Sequence, residues 1–234
     1  MKIEEMKGYG VAMSDFEGSW DPTFKAKLKK TSQRIIFKQI SFYQRFQLLY
    51  WFLIAKRMAA KLDLSDIRSM GMTNRAFIDQ QLEYLSMFWA LVKVLNMSRA
   101  LEIMYRVMDA TAEEALLQSS PQKEEIESFG DSLEFFRRYF AILPEVSLKA
   151  GCHKMVISEN SANCFQFDVH WCVWYELAKK MNIPEACMPN CYADDLAYPE
   201  YFRKFGIKYS RSGTLAKGGP CCDFKFEILK SESL

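Results

Sequence analysis

The hydrophobic period of this chain changes once, near Pro144, and that change constrains the fold more than any single motif. Before Pro144, apolar residues recur at helical spacing. Ile36, Ile40, Tyr43, Tyr50, Ile54 and Met58 line one stripe of a long helix beginning near Thr31. Gly71, with Thr73 and Asn74 as N-cap candidates, precedes a second helix marked by Ile78, Leu82, Leu85, Trp89 and Val92. A third starts near Ser98, uses Leu101, Met104, Tyr105 and Met108, and ends at Ser119-Ser120-Pro121. Leu133, Phe136, Phe140 and Leu143 predict a fourth, stopped by Pro144. Beyond it the period falls to two. Phe165, Phe167, Val169 and Trp171 alternate with Gln166, Asp168 and His170, as on a half-buried strand. Trp174, Leu177, Ala178 and Met181 give a short helix, Ile207 and Tyr209 begin a strand, and Cys222, Phe224, Phe226 and Ile228 alternate through a last one after a Gly218-Gly219-Pro220 turn. Helices first and strands later predict an α+β fold: an N-terminal layer of about four helices, then a small antiparallel sheet with an inserted helix.

Residues 1–30 hold Gly8, Gly10, Gly18 and Pro22 among charges without a period, and read as an arm. Residues 31–234 then form a single α+β domain, with 31–144 its helical part and 145–234 its sheet part. Hydrophobic residues make up 50% of the chain and aromatic residues 15%, enough for a continuous core. A net charge of +2 gives no broad field for nucleic acid, and the cluster Lys25, Lys27, Lys29 and Lys30 reads as a solvated surface. The longest apolar run, residues 48–55, falls short of the roughly 20 residues a bilayer requires, so no membrane partner is expected. The N-terminus has no apolar signal core, and the seven cysteines are odd in number and all lie beyond residue 150. Reduced thiols in the cytoplasm are the simplest account. The sequence leaves the oligomeric state open.

The common catalytic signatures are missing: no glycine-rich phosphate loop, no Gly-x-Ser-x-Gly elbow, no His-Glu-x-x-His helix. Two histidines, His153 and His170, leave little room for a Ser-His-Asp triad or a histidine-rich metal site. The remaining reactive groups cluster. Cys172 falls where a strand turns into a helix, so the positive end of the helix dipole can ease loss of its proton. Cys191 opens Cys-Tyr-Ala-Asp-Asp, placing Asp194 and Asp195 within a turn of it. Arg211 ends one strand and Cys222 starts the next. Cysteine is also a common core residue. Packing is the simpler reading of Cys152, Cys164, Cys187 and Cys221, while for Cys172, Cys191 and Cys222 both readings stay open. His170 by itself reads as structural.

Three blocks resemble the L-2-amino-thiazoline-4-carboxylate hydrolase family: Phe167-Asp168-Val169-His170-Trp171-Cys172, Asn190-Cys191-Tyr192-Ala193-Asp194-Asp195, and Arg211-Ser212-Gly213-Thr214-Leu215-Ala216-Lys217-Gly218 followed by Cys222-Asp223-Phe224-Lys225-Phe226. The chain departs from that pattern at His170, where threonine is more usual, and at Gly218-Gly219, where Gly-Asp is frequent. The resemblance implies hydrolytic opening of a small cyclic amidine bearing a carboxylate, with no cofactor and a small molecule as the only partner. It assigns catalysis to Cys172 or Cys222 with Asp194, and substrate binding to Arg211 (as a clamp on the carboxylate), His170, Cys191 and Thr214. Cys172 is the expected acidic thiol. Two alternatives accompany it. A member of such a family can serve a different heterocycle, and the layout is also similar to small-molecule sensor domains of the vinyl-reductase type, which implies a structural zinc held by Cys172, Cys191 and Cys222.

Overall fold

The computed structural model describes residues 21–229. The expected arm therefore lies outside the described residues up to residue 20, and the chain is helical from Pro22 onward. Helix α1 (Pro22–Lys38) opens with Pro22 at its first position, and the Asp21 carboxylate accepts the N–H groups of Thr23 and Phe24 at 2.7 and 3.1 Å. The clustered lysines lie on this helix, where Lys27 meets Glu114 and Lys29 meets Glu83.

The single long helix expected from Thr31 through Met58 is two helices. The chain breaks after α1 and restarts as α2 (Phe42–Ala59). At the break the Ser41 hydroxyl accepts the Gln44 N–H and the Gln44 side chain accepts the Ser41 N–H. This reciprocal pair ends one helix and starts the next without disturbing the apolar spacing. A short α3 (Ser65–Ser69), α4 (Arg75–Val94, capped by Asn74), α5 (Met97–Ser119, capped by Asn96) and α6 (Lys123–Phe129) come next.

Helix α7 (Ser132–Lys149) runs through Pro144, which was expected to stop it. A proline inside a helix costs about 3 kcal/mol through its missing donor and its ring. The buried face of Phe135, Phe136, Tyr139, Phe140, Leu143 and Ser147, continuous on both sides of Pro144, outweighs that cost. The actual stop is Gly151, with φ +67°, where a Cβ would sit 2.1 Å from the Met72 nitrogen. Only glycine permits this backbone crossing.

The sheet holds β1 (His153–Asn160), β2 (Cys164–Cys172), β3 (Ile207–Ser210) and β4 (Cys222–Ile228) in the order β1-β2-β4-β3, with every pair antiparallel. Strand β1, at one edge, has no clear signal in the sequence because its exposed Val156 and Ile157 blur the alternation. Its pairing with β2 slips twice, leaving out His170 on β2 and Ser158 on β1. Helix α8 (Val173–Lys180), a 3-10 turn at Pro184–Cys187 and α9 (Met188–Arg203) connect β2 to β3.

Two hydrophobic clusters result. One gathers Ile36, Leu48, Phe77, Phe88, Ile103 and Leu177 from α1, α2, α4, α5 and α8. The other gathers Phe136, Phe140, Phe167, Tyr201, Phe202 and Phe226 from α7, the sheet and α9. A cavity of about 1270 Å³ is lined by residues of both. Among the described residues, no helix is long and apolar enough to cross a membrane.

Candidate functional site

The unpaired His170 decides which way Cys172 points. Phe165, Phe167 and Val169 of β2 are buried, and strict alternation would set Trp171 beside them and turn Cys172 away. The register instead passes from Lys154↔Trp171 to Met155↔Val169, so His170 is an extra residue in a bulge. The alternation inverts there. Cys172 joins Phe167 and Val169 on the cavity wall, Trp171 does not, and His170 is exposed and off the wall. Cys172 pairs across the ladder with His153, which also lines the cavity. The His153 Nδ1 lies 2.9 Å from the Ser147 hydroxyl, and its ring stacks on Trp174 at 5.1 Å. Burial lowers its pKa to about 4, so the ring is neutral at physiological pH.

Helix α9 brings Cys191 and Asp194 to the same end of the cavity, where Arg211 closes in from the end of β3. The Arg211 side chain is only 2% exposed. Its Nη1 donates to Asp194 Oδ2 at 3.0 Å, while Nη2 lies 2.8 Å from Asp195 Oδ1 and donates to the Cys191 carbonyl. The guanidinium also lies over the Phe224 ring at 5.0 Å, and the Tyr209 hydroxyl donates to Asp195 at 3.2 Å. Both terminal nitrogens are thus engaged by α9. Arg211, expected as a clamp on a substrate carboxylate, holds the protein's own carboxylates.

Cys222 opens β4, and its sulfur accepts the Leu215 N–H at 3.3 Å. The loop that presents this N–H is tied by Asp223, whose carboxylate takes the Ser212 N–H, the Ser212 hydroxyl and the Gly213 N–H at 2.5–3.1 Å. Thr214 continues the loop: its hydroxyl accepts the Lys217 N–H at 3.2 Å and caps the 3-10 turn Leu215–Lys217. It is buried and off the cavity wall, where it shapes the loop.

The thiols differ sharply in proton affinity. The Cys191 thiol hydrogen-bonds the Cys222 sulfur. That bond, helped by the Leu215 N–H and the Arg211 charge, pulls Cys222 below the usual thiol value despite its burial. The same bond, with burial, drives Cys191 up. Burial pushes Cys172 up to about 12, against the opposing pull of the Tyr175 and Trp174 N–H groups. Asp194 is raised to about 6, chiefly by burial and in spite of Arg211. Its 23% accessible surface faces the cavity.

Cys172, Cys191, Cys222, Asp194 and Arg211 therefore converge, while His170 and Thr214 stand apart. His153 and Cys187, outside the expected set, also line the wall, and burial raises the Cys187 thiol. The place of His153 comes from its register with Cys172, and the apolar period shows no sign of the strand that carries it. Among the described residues, no group of three or more His, Cys, Asp or Glu side chains is arranged to hold a metal ion.

A family model described as L-2-amino-thiazoline-4-carboxylic acid hydrolase matches residues 77–226, a span that contains every residue of this site. Comparison with curated proteins gives no match.

Proposed function

The chain belongs to the L-2-amino-thiazoline-4-carboxylic acid hydrolase family, and from that premise we propose that it hydrolyses a small cyclic amidine bearing a carboxylate, with Cys222 as nucleophile. The observation that carries this reading is the hydrogen-bonded Cys222 sulfur, which accepts from Leu215 and Cys191 beside a buried Asp194. The Cys222 thiolate adds to the carbon of the protonated amidine. Asp194 gives its proton to the ring nitrogen, which departs as an amine and leaves the carbon bound to Cys222 as a thioimidate. Water adds to that carbon, Asp194 takes back a proton, and the thiolate leaves. The carbon becomes the carbonyl of a carbamoyl group. One water is consumed, and nothing is oxidised or reduced.

Cys191 stabilises the sulfur charge as it appears and disappears. Arg211 is a positioning residue, since it fixes Asp194 and Asp195 on α9 and leans a positive charge toward Cys222. The test is turnover of 2-amino-thiazoline-4-carboxylate by Cys222→Ser and Cys172→Ser. The first is expected to lose roughly 10³-fold or more in kcat, and acid quenching of the wild type should trap a mass adduct on the Cys222 peptide. Full turnover by Cys222→Ser would remove the proposal.

A further inference from the structure

The cavity behind the thiols is much larger than a single five-membered ring requires. Its volume of about 1270 Å³ exceeds the roughly 300–1,000 Å³ that encloses a drug-sized ligand. Along α5 its wall runs from Met104 to Leu116, a span of about 18 Å at 1.5 Å per residue. The reactive groups occupy one part of this space. The rest is lined by Met87, Met104, Met108, Leu116, Leu143 and Met155, and the methionines adapt their shape to a flexible apolar guest.

The hydroxyls of this wall add an independent observation. Ser32 donates to the Leu28 carbonyl at 2.9 Å, Ser86 to Leu82 at 2.6 Å, Thr111 to Val107 at 2.7 Å and Ser120 to Leu116 at 2.8 Å. Each proton is spent on the preceding turn of its own helix. These four side chains therefore offer a guest no donor, although Lys25, Gln33, Lys56, Gln80 and Gln81 also line the cavity. Where these four side chains and the methionines form it, the wall suits a chain without hydrogen-bonding groups and suits a sugar or a nucleotide poorly.

We infer that the substrate is an extended one, an amidine ring that reaches Cys222 and carries a long apolar substituent lying along α5 between the two hydrophobic clusters. This rests on the hydrolase reading above and narrows its substrate class.

The experiment compares kcat/KM for 2-amino-thiazoline-4-carboxylate and its 2-dodecylamino derivative. The derivative is expected to be better by tenfold or more. In Met108→Trp and Ala112→Phe, which fill the passage away from the thiols, the ratio of the two values should fall to near one. Thermal melts identify which variant keeps the wild-type fold, and either one suffices. Equal or lower kcat/KM for the derivative with the wild type overturns the inference and leaves the hydrolase reading standing. If neither ring is hydrolysed, the hydrolase reading fails and calorimetric titration with the derivative decides the rest. Saturable binding that weakens tenfold in a folded variant supports the apolar guest, and absence of binding overturns it.

Discussion

The backbone N–H of Leu215 points at the sulfur of Cys222 across 3.3 Å. Asp223, next in sequence to Cys222, holds Ser212 and Gly213 at the start of the same loop. The proposed nucleophile and its donor are thus fixed by one short stretch of chain, and this should order the reactivity of the thiols. At pH 7, iodoacetamide should alkylate Cys222 ahead of Cys172, which burial holds at about 12. Peptide mass spectrometry over time checks the order. A zinc chelator should leave the rate unchanged. Acceleration by the chelator would reveal thiolates bound to metal, and earlier labelling of Cys172 would return the nucleophile to that position.

Asp194 should leave two signatures in pH. As an acid it works protonated, so kcat/KM should decline as pH rises through about 6, and Asp194→Asn should lose that limb. The same shift acts on stability. The folded value, about 6, lies above the ordinary aspartate value of 3.8, so folding favours the protonated form. The contribution is fully present below about 3.8 and is lost as pH rises to about 6. A shift of that size corresponds to about 3 kcal/mol. Relative to wild type, Asp194→Asn should therefore gain about that much stability between pH 4 and pH 7. Urea titrations at the two values measure it, and a pH-independent difference would contradict the raised pKa.

Removing the Arg211 charge should leave the neighbouring carboxylates of Asp194 and Asp195 without their shared cation. Breaking a buried pair from one side costs about 3–5 kcal/mol, so Arg211→Met should lose that much in denaturant unfolding. Adding Asp194→Asn should restore more than about 1 kcal/mol by removing one of the stranded charges. No recovery would show that Arg211 stabilises through packing on Phe224 instead.

The crossing of Gly151 over Met72 gives a prediction away from the site. Gly151→Ala places a methyl group 2.1 Å from the Met72 nitrogen at a positive φ. The loss should reach about 2–3 kcal/mol, visible as a lower melting temperature. An unchanged melt would mean that α7 can end another way.

The period change near Pro144 carried the division into helices and sheet, because burial of one face imposes itself on every residue of an element. Local hydrogen bonding escaped it. The Ser41–Gln44 pair splits a helix without altering its apolar stripe, and Pro144 is tolerated because the face around it is buried. Cys191, Asp194, Arg211 and Cys222 were legible as a cluster since all four fall in one stretch, residues 191–222, with Arg211 and Cys222 at the facing ends of two consecutive strands. Cys172 does stand at a helix start, yet its proton affinity runs opposite to expectation. The helix N–H groups are local, whereas the burial that outweighs them comes from the cavity walls. The bulge that aims Cys172 inward could not be read from β2 by itself, because it exists only in the pairing with β1.

Strand β1 forms the outer edge of the sheet and shows Val156 and Ile157 to solvent at 55% and 38% exposure. A straight apolar edge of this kind is a template on which a neighbouring molecule can lay its own strand, the first step toward a fibre. Here Ser158 steps out of the ladder directly after those two residues, and Glu159 resumes it with a charge. An incoming strand would lose register at that step and meet the carboxylate next to it. The expected consequence is colloidal: the misfit at Ser158 should disfavour growth of a second molecule's strand on this edge despite its two exposed apolar side chains.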